Sequence, residues 1–452
     1  MEQDARASRE SAVQTLLLLS AILLESQSMK IMYLSQYYPP EMGAPAARVS
    51  ELSRLWSKAC HDVTVLTGFP HYPSGVVPRE YRRKLRRLIV RESLDGVRVE
   101  RTWLATLPNR KTWERFLNYT SFAISSALRG SFLSSPDVVI ATSPQLLQGL
   151  AGLWIAKQRG VPLVFEVRDL WPESLTLNSN SRLNRLVSAV LSKISVFLYR
   201  HCDHIVVVTP AFKKYLVEHY GIAAEKISIV MNGVEPDVFT PSGETDSVVE
   251  EFQLYGRFVV SFIGVLGNAH GLKSVAHAAA RLQETAPKVL FLLVGEGADK
   301  SNVQSLSEAM GLKNLLILGE QPRNKIPALI RASSACMVPL KKSEIFKTVV
   351  PTKMLEFMAC GRPVILGVEG QARELVEKAD CGVCVPPEDS AALAGAIEQL
   401  YSDAKLRERL GRNGRNYVVR YLTREQTAKD YLEILQRVVG TDDIVLDEAV
   451  CG

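Results

Sequence analysis

The chain has 452 residues, of which 47% are hydrophobic and 23% are charged. This length exceeds one ordinary core and predicts two domains of roughly 200 residues each, with the composition of a soluble globular protein. The net charge of +6 suits an anionic substrate or membrane surface and is too small to indicate nucleic-acid binding, so no nucleic-acid partner is expected.

Residues 1–28 differ from the rest of the chain. Their apolar run, Leu16–Leu24, has nine residues and is too short to span a bilayer. The residues before it include acids as well as arginines, unlike the basic start of a signal peptide. The first clear strand follows Met29. We therefore expect residues 1–28 to be an over-called start or a dispensable extension.

From Lys30 onward, short apolar runs alternate with amphipathic stretches. This alternation predicts parallel sheets covered by helices on both faces. A polar linker at 241–249 separates two such series, which gives two doubly wound, Rossmann-like α/β domains facing each other across a cleft, with ligands at the carboxyl ends of the strands. The predicted ranges are 29–240 for an acceptor-binding domain, 250–422 for a nucleotide-binding domain, 423–440 for a helix packing back toward the first domain, and 441–452 for a tail.

The segment Lys347–Pro363, KTVVPTKMLEFMACGRP, carries the clearest chemical pattern. A helix is predicted to begin near Val350 or Pro351, and a helix N-terminus presents free N–H groups and a positive dipole end that suit a phosphate. Lys347 and Lys353 add positive charge there, and Glu356 can accept hydrogen bonds from a ribose. A sugar-nucleotide site is one interpretation; an ordinary amphipathic helix with solvated lysines is the other.

Six motifs in order now extend the interpretation: YYPPEMGAPAARVSELSRLW, HDVTVLTG, MNGVEPDVF, FLLVGEGADK, LGEQP and VVPTKMLEFMACGRPVI. Together they resemble the retaining nucleotide-sugar glycosyltransferases of family 4, which have the GT-B fold. The segment EVRDLWPES resembles the bacterial surface-polysaccharide branch that includes fucosamine and fucose transferases. The resemblance implies transfer from a UDP- or GDP-linked sugar to a glycan or polyprenyl-diphosphate-linked acceptor in O-antigen or capsule synthesis, with no cofactor and no metal.

The resemblance also implies donor-binding positions. Many relatives carry an Arg and a Lys where this chain has Val265 and His270, so the missing cation is expected from Lys347, Lys353 or Lys341. A glutamate of the family's usual pair is replaced by Thr348, whereas Glu356 matches the other. The donor-binding residues expected on this basis are Gly267, Asn268, Glu296, Gly319, Glu320, Thr348, Val350, Thr352, Lys353 and Glu356.

Catalytic and acceptor-side residues are expected mainly in the first domain. Arg168 and Asp169 follow a strand where relatives often have His-Asp, and Lys347 is the expected catalytic cation of the second domain. Arg168 cannot act as a base, but it can bind a phosphate; a structural ion pair with Asp169 is the alternative. Acceptor-side loop positions are Gly43, His71 and Glu173, against the alternatives of a turn glycine and a solvated histidine.

The run REYRRKLRRLIVR, residues 79–91, packs many cations around a few apolar residues. It is either a solvated face or a site that docks on anionic lipid, with Trp103, Leu104 and the residues that follow as an apolar edge. Docking would suit a polyprenyl-linked acceptor and a cytoplasmic protein peripheral on the inner face of the plasma membrane.

Two rival functions share this architecture. A nucleotide-sugar epimerase or hydrolase would use the same donor pocket without an acceptor. A non-catalytic sugar-nucleotide-binding protein would bind the donor without turnover. A dinucleotide oxidoreductase is disfavoured because neither domain opens its first helix with a GxGxxG motif.

Overall fold

The computed structural model describes residues 28–440 except 42, 73–74, 108–111 and 172–181. Apart from Ser28, the predicted N-terminal extension lies outside the described residues, as does the tail 441–452. The described chain divides into two compact units. The first domain takes its described residues from 1–208, 216–230 and 428–452, and the second domain comprises 209–215 and 231–427.

The first domain contains an eight-stranded sheet in the order β3-β4-β2-β1-β5-β6-β7-β8. All neighbouring pairs are parallel except β3 and β4. The strands are β1 Lys30–Leu34, β2 Asp62–Gly68, β3 Ile89–Leu94, β4 Val97–Thr102, β5 Val138–Thr142, β6 Leu163–Val167, β7 His204–Val207 and β8 Ile227–Ile229.

The second domain contains a six-stranded, fully parallel sheet in the order β11-β10-β9-β12-β13-β14. Its four inner strands are buried on both faces by two separate hydrophobic clusters, one on each side of the sheet, and the edge strands β11 and β14 are partly buried. The strands are β9 Phe258–Ile263, β10 Val289–Val294, β11 Leu315–Leu318, β12 Ala335–Pro339, β13 Val364–Gly367 and β14 Gly382–Cys384.

Helices follow most strands and cover the sheets. They are α1 Ala44–Lys58, α2 Arg79–Arg82, α3 Thr112–Ser131, α4 Leu146–Arg159, α5 Arg182–His201, α6 Pro210–Tyr220, α7 Asp246–Glu251, α8 Leu272–Thr285, α9 Lys300–Ala309, α10 Ile326–Arg331, α11 Thr352–Ala359, α12 Gln371–Ala379, α13 Ser390–Ser402, α14 Ala404–Tyr421 and α15 Arg424–Val439. The predicted class, α/β with two Rossmann-like domains, is confirmed. Within the described ranges, no helix is both long enough and apolar enough to cross a bilayer.

Strand β3 was not predicted, because its residues fall in and just after the cationic run 79–91. It pairs antiparallel with β4 at the edge of the sheet, and only Val90 of its six residues is buried. An edge strand with one buried side chain lacks the apolar run by which the inner strands are recognised.

The domain boundary lies earlier than residue 240. Residues from Met231 belong to the second domain, where Val234 N–H donates to the Leu422 carbonyl at 2.9 Å. The Arg415 guanidinium donates to the carbonyls of Pro236 and Phe239 and so attaches the same segment to α14.

The last helix, α15, begins in the second domain and continues in the first. Its residues from Ala428 onward group with the first domain. Trp56 Nε1 donates to the Ala428 carbonyl at 3.0 Å, and the Tyr431 ring meets the Trp56 ring edge-on, with the centroids 5.3 Å apart. These contacts place the C-terminal part of α15 in the core of the first domain.

Candidate functional site

In the second domain, the loops after β9 and β10 approach each other through two glycines. Gly264 and Gly295 have φ values of +145° and +144°, and a Cβ at Gly295 would overlap the Gly264 carbonyl. Leu266 N–H then donates to the Glu296 carbonyl at 2.8 Å, which joins the two loops. Only glycine tolerates this backbone approach. The two loops together form a surface at the carboxyl end of the sheet, beside the point where the strand order reverses between β9 and β12.

The Lys353 side chain lies over this surface, next to Gly264. Lys353 is the second residue of α11, whose N-cap is Pro351, and a Cβ at Gly264 would lie 2.6 Å from its Nζ. The ammonium also lies 3.9 Å from the centroid of the Phe262 ring. The Nζ atom is buried and forms no hydrogen bond with any residue that the structure describes. Burial lowers the pKa of Lys353 to about 7, and the nearby Glu356 carboxylate partly opposes that change.

This placement is unfavourable for a lysine in two ways. A buried cation without a hydrogen-bonding partner loses its hydration, and the first turn of a helix is the positive end of the helix dipole. An anion bound at the start of α11 would relieve both costs, because it would pair with the ammonium and accept from free backbone N–H groups. The site therefore has the chemistry of an anion-binding site.

His270 occupies a position at which many relatives carry a lysine, but it is not a cation in this structure. Burial and the neighbouring Lys353 charge lower the pKa of His270 to about 4, so its ring is neutral at physiological pH. Its Nδ1 lies 3.3 Å from the Pro339 carbonyl, and the ring meets Phe262 edge-on. Gly267 and Asn268 lie in the same loop, and Asn268 is exposed at the start of a short 3-10 turn.

Glu356 lies one turn after Lys353 and is buried, with 8% of its surface exposed. Its Oε1 accepts from Arg323 Nη2 at 2.8 Å. The Arg323 guanidinium is about half exposed and also stacks on the Phe239 ring, 4.9 Å from the centroid. Sequence reasoning missed Arg323, although it lies three residues after Glu320, one of the expected donor-binding residues.

Lys347, the expected catalytic cation, is already paired. Its Nζ lies 2.7 Å from Glu344 Oε1 and 3.5 Å from Glu369 Oε2. The hydrogen bond with Glu344 raises the pKa of Lys347. Of the two lysines in this segment, Lys353 and not Lys347 therefore has a charge that a ligand would have to balance.

Three further residues of the segment, Thr348, Val350 and Thr352, were expected to bind the donor, and two of them make contacts within the protein instead. The Thr348 hydroxyl donates to the Ile345 carbonyl at 2.7 Å, and its carbonyl accepts from Thr209 Oγ1 at 2.8 Å. Val350 packs against the hydrophobic cluster on this face of the sheet. Thr352 is partly exposed at the first position of α11. Among these three residues, Thr352 is the one whose backbone N–H lies at the start of α11.

Glu296, Gly319 and Glu320 follow β10 and β11. Glu296 is exposed and pairs with Lys300 at 2.6 Å, and a Cβ at Gly319 would lie 3.1 Å from Glu296 Oε1. Glu320 is exposed. Glu296 and Gly319 therefore share one edge of the sheet, but Glu296 lacks the desolvated surroundings typical of a catalytic base.

In the first domain, Gly43 is the N-cap residue of α1 and has a φ of +123°. Two residues before it lies Glu41, a buried residue that was not among the predicted site residues. Glu41 accepts from the backbone N–H groups of His71 and Tyr72, each at 2.9 Å, and burial raises its pKa to about 7. The signal for it was present in the motif YYPPEMG, where only the glycine was interpreted.

His71 is buried, so the alternative of a solvated loop histidine is wrong. Its Nδ1 bonds to the Phe69 carbonyl at 2.9 Å, and Asn118 Nδ2 lies 2.6 Å from its Nε2. Burial lowers the pKa of His71. Both ring nitrogens are thus engaged within the protein, which makes His71 a supporting residue of the loop.

Arg168 and Asp169 lie where β6 ends, and the backbone N–H groups of both are directed at Ser143 Oγ, at 2.7 and 3.3 Å. Just before them, Glu166 is fully buried and accepts from Tyr33 Oη and Arg48 Nε, at 2.7 and 2.9 Å. The Glu166 contacts fix the end of this strand. Glu173, the third expected acceptor-side residue, lies outside the described residues. Among those that are described, no three His, Cys, Asp or Glu side chains are grouped as metal ligands would be.

Replacing Glu356 by glutamine should weaken binding of the nucleoside diphosphate, UDP or GDP, at least about tenfold, because a hydrogen bond to a charged group contributes about 1.5–3 kcal/mol. Isothermal titration calorimetry measures the change. Glu377→Gln, which alters an exposed carboxylate paired with Arg373, should leave UDP affinity unchanged. Equal affinities of Glu356→Gln and wild type would exclude Glu356 from the donor site.

Comparison with known proteins gives a consistent result for both domains. The model of the "Glycosyl transferase 4-like domain" matches residues 43–233, and that of "Glycosyl transferases group 1" matches residues 249–417. A relative in Escherichia coli (strain K12), described as a putative colanic acid biosynthesis glycosyl transferase, WcaI, is 24% identical over 89% of this chain and 99% of its own length.

Solved structures share the fold. Sucrose-phosphate synthase from Thermosynechococcus elongatus matches with a TM-score of 0.73 at 18% identity, over 91% of this chain and 99% of the other. HepE from Anabaena, solved in complex with UDP, matches with a TM-score of 0.68 at 18% identity, over 90% of this chain and 100% of the other. At these identities the likeness shows a common architecture.

Proposed function

We propose that this chain, a glycosyltransferase of the GT-B, family 4 type, transfers a glycosyl group from a nucleoside diphosphate sugar to an acceptor hydroxyl with retention at the anomeric carbon. The observation that supports this most directly is the buried Lys353 ammonium, which has no hydrogen-bonding partner among the described residues. A diphosphate at the start of α11 would provide that partner.

The donor would lie along α11. Its diphosphate would contact Lys353 and the N–H groups at the start of the helix, and its ribose hydroxyls would contact Glu356, one turn further on the same helix face. Arg323 would hold the Glu356 carboxylate in position. Lys353 would thereby replace the cations that relatives carry at the positions of Val265 and His270. The backbone of Gly319–Pro322 would contact the base.

Catalysis would follow from stabilising the leaving group. Negative charge grows on the departing phosphate, and a preorganised cation and helix N-terminus stabilise that charge. The leaving phosphate can itself accept the proton of the attacking hydroxyl. Arg168 and Asp169 would contribute on the acceptor side, where Arg168 binds a phosphate and Asp169 orients it or the acceptor hydroxyl.

We expect activity to be independent of divalent cations, because Lys353 and the helix end supply the positive charge. Prolonged treatment with EDTA should leave the transfer rate unchanged, as measured by release of nucleoside diphosphate. A loss of activity that Mg²⁺ or Mn²⁺ restores would contradict this.

A donor screen followed by a transfer assay tests the function. Thermal shift with UDP, GDP and their sugars identifies the nucleotide, and the stabilising donor is then incubated with polyprenyl-diphosphate sugars. If the protein is a glycosyltransferase, nucleoside diphosphate should be released only when an acceptor is present. Release without any acceptor would favour a hydrolase, and interconversion of donor sugars would favour an epimerase. Binding without turnover would favour a sugar-nucleotide-binding protein.

A role in surface-polysaccharide synthesis on a lipid-linked acceptor is supported by an apolar stripe on α3. Its large side chains recur on one helix face and are 48–65% exposed; they are Trp113, Phe116, Leu117, Ile124 and Leu128. Phe132, just after the helix, is 80% exposed. Large exposed apolar side chains that share one helix face are typical of a surface that contacts a partner or a membrane. Leu104, which we expected in this edge, is buried instead.

The cationic run lies in the same domain. Arg83, Arg86 and Arg87 are exposed, whereas Lys84 pairs with Glu92 at 2.9 Å. Exposed cations and an exposed apolar surface on one domain suit the anionic face of a membrane, where each cation contributes about 1 kcal/mol. The protein would act in the cytoplasm, peripheral on the inner face of the plasma membrane.

The wild type should therefore sediment with phosphatidylglycerol vesicles and be released as added salt shortens the Debye length. Changing Arg83, Arg86 and Arg87 together to serine should greatly reduce sedimentation, while UDP affinity stays at the wild-type value because the donor residues are in the second domain. A wild type that does not sediment would exclude membrane docking and favour a soluble acceptor.

A further inference from the structure

Four aromatic rings lie near the carboxyl edge of the first sheet. Tyr37 follows β1, Tyr72 follows β2, Trp171 follows β6, and Tyr119 is in α3. The ring centroids of Tyr37 and Tyr72 are 4.9 Å apart, and those of Tyr119 and Trp171 are 6.3 Å apart. The phenol groups of Tyr37 and Tyr119 lie close to each other, which links the two pairs. We call these four residues the aromatic cluster.

A buried polar network joins the residues that precede three of these rings in the chain. The Asn118 side chain bonds to His71 Nε2 and accepts from the Gln36 side-chain amide. Gln36, His71 and Asn118 are each no more than 1% exposed. Each of the three directly precedes one tyrosine of the cluster in the chain. Because the network ties these neighbours together, it fixes the backbone from which the three tyrosines project.

Glu41 adds a second attachment for the loop that carries Tyr72. Its Oε1 accepts from the N–H groups of both His71 and Tyr72. The Glu41 carboxyl group is itself buried, so this contact is shielded from water. Two separate contacts, the buried network at His71 and the Glu41 carboxylate, therefore hold the backbone from which Tyr72 projects.

Ordinary core packing does not account for the cluster, because its outer members face solvent. Tyr72 is 45% exposed and Trp171 is partly exposed, whereas Tyr37 behind them is 7% exposed. A rigidly held aromatic surface, with phenol and indole groups at its rim, suits a ligand that has an apolar face and hydroxyl groups around it. A pyranose ring has that character.

We propose that the aromatic cluster is the subsite on which a pyranose ring of the acceptor glycan stacks. This inference rests on the proposed glycosyl transfer and deepens it, because it assigns part of the acceptor affinity to ring stacking in the first domain. Tyr72 and Trp171 contact the sugar directly, and Gln36, His71, Asn118 and Glu41 are positioning residues.

Saturation-transfer difference NMR with methyl pyranosides of glucose, galactose and mannose tests the proposal on the full-length protein. At least one glycoside should receive saturation on its ring C–H protons. Tyr72→Ala and Trp171→Ala should each weaken that glycoside about tenfold, and Tyr72→Phe should retain most of the affinity. Because Tyr72 is exposed, its replacement should leave the thermal unfolding temperature unchanged.

Tyr255→Ala is the matched control, since Tyr255 is 65% exposed in the second domain; it should bind the glycoside like the wild type. UDP binding is measured on every sample. Saturation of no glycoside, or equal binding by Tyr72→Ala, Trp171→Ala and wild type, overturns the subsite, even where UDP binds normally. Failure of the wild type to bind UDP or GDP would instead overturn the proposed function.

Discussion

Replacing Lys353 by methionine should lower kcat about 10²–10³-fold, the loss typical of removing one donor to a developing oxyanion, and should also make the protein more resistant to heat. The two effects have one cause. The ammonium is buried over Gly264 and Phe262 and has no hydrogen-bonding partner among the described residues. It destabilises the free protein and stabilises the departing diphosphate.

The stability gain follows from the pKa of Lys353, which burial lowers from 10.5 to about 7. That difference corresponds to about 5 kcal/mol of preference for the neutral form. The folded state binds fewer protons here than the unfolded state, so this lysine costs most stability below pH 7, and the cost declines as the pH rises toward 10.5. Methionine fills the same space without charge, and we expect the unfolding temperature to rise most at acidic pH.

Lys347→Met is the informative comparison. Lys347 lies in the same segment but is already balanced by Glu344 and Glu369, so its removal should reduce kcat much less and should not stabilise the fold. Steady-state kinetics and differential scanning calorimetry on both variants separate the two lysines. A larger kcat loss in Lys347→Met would restore Lys347 as the catalytic cation and contradict our assignment.

The fold was predictable because its main signals are local. Strands of a parallel sheet that are buried on both faces appear as short apolar runs. The four inner strands of the second domain are of this kind, and the partly buried edge strands β11 and β14 were recognised from short apolar runs as well. Strand β3 escaped because it lies at an edge and buries one residue. The end of the first domain was placed too late because the segment from Met231 is attached by partners distant in sequence, Leu422 and Arg415.

The site was predictable as a segment but not as a set of contacts. Residue type and spacing singled out Lys347, Lys353 and Glu356, yet the choice between the lysines depends on burial. Glu369, which helps to neutralise Lys347, is 22 positions away in the sequence, and Arg323, which pairs with Glu356, is 33 positions away. Which lysine lacks a partner emerges only when the loops after β9, β12 and β13 are brought together.

The acceptor side shows the same limit. His71 was chosen as a loop histidine, and its chemistry in the fold is set by Phe69, nearby in the chain, and by Asn118 on a distant helix. Nothing in the spacing of Gln36, His71 and Asn118 suggests that they meet. The tyrosine that follows each of them was equally inconspicuous, so the aromatic cluster could not be recognised before the helices and strands were assembled.

Binding of UDP should be accompanied by proton uptake above neutral pH. In the free protein the pKa of Lys353 is about 7, and a bound diphosphate should raise it because an anion favours the charged form. Below pH 7 the lysine is protonated in both states. Above pH 7 the site must acquire a proton on binding, so UDP affinity should fall by up to about tenfold per pH unit.

Other groups near Lys353 do not produce this signal. The pKa of His270 is about 4, so its ring is already neutral. The terminal phosphate of UDP has lost its second proton above about pH 6. Titration calorimetry in two buffers of different ionisation enthalpy should therefore show uptake approaching one proton, and Lys353→Arg, whose charge is fixed, should show none. Equal uptake by wild type and Lys353→Arg would mean that the diphosphate binds away from Lys353, and the donor site would have to be placed elsewhere in the second domain.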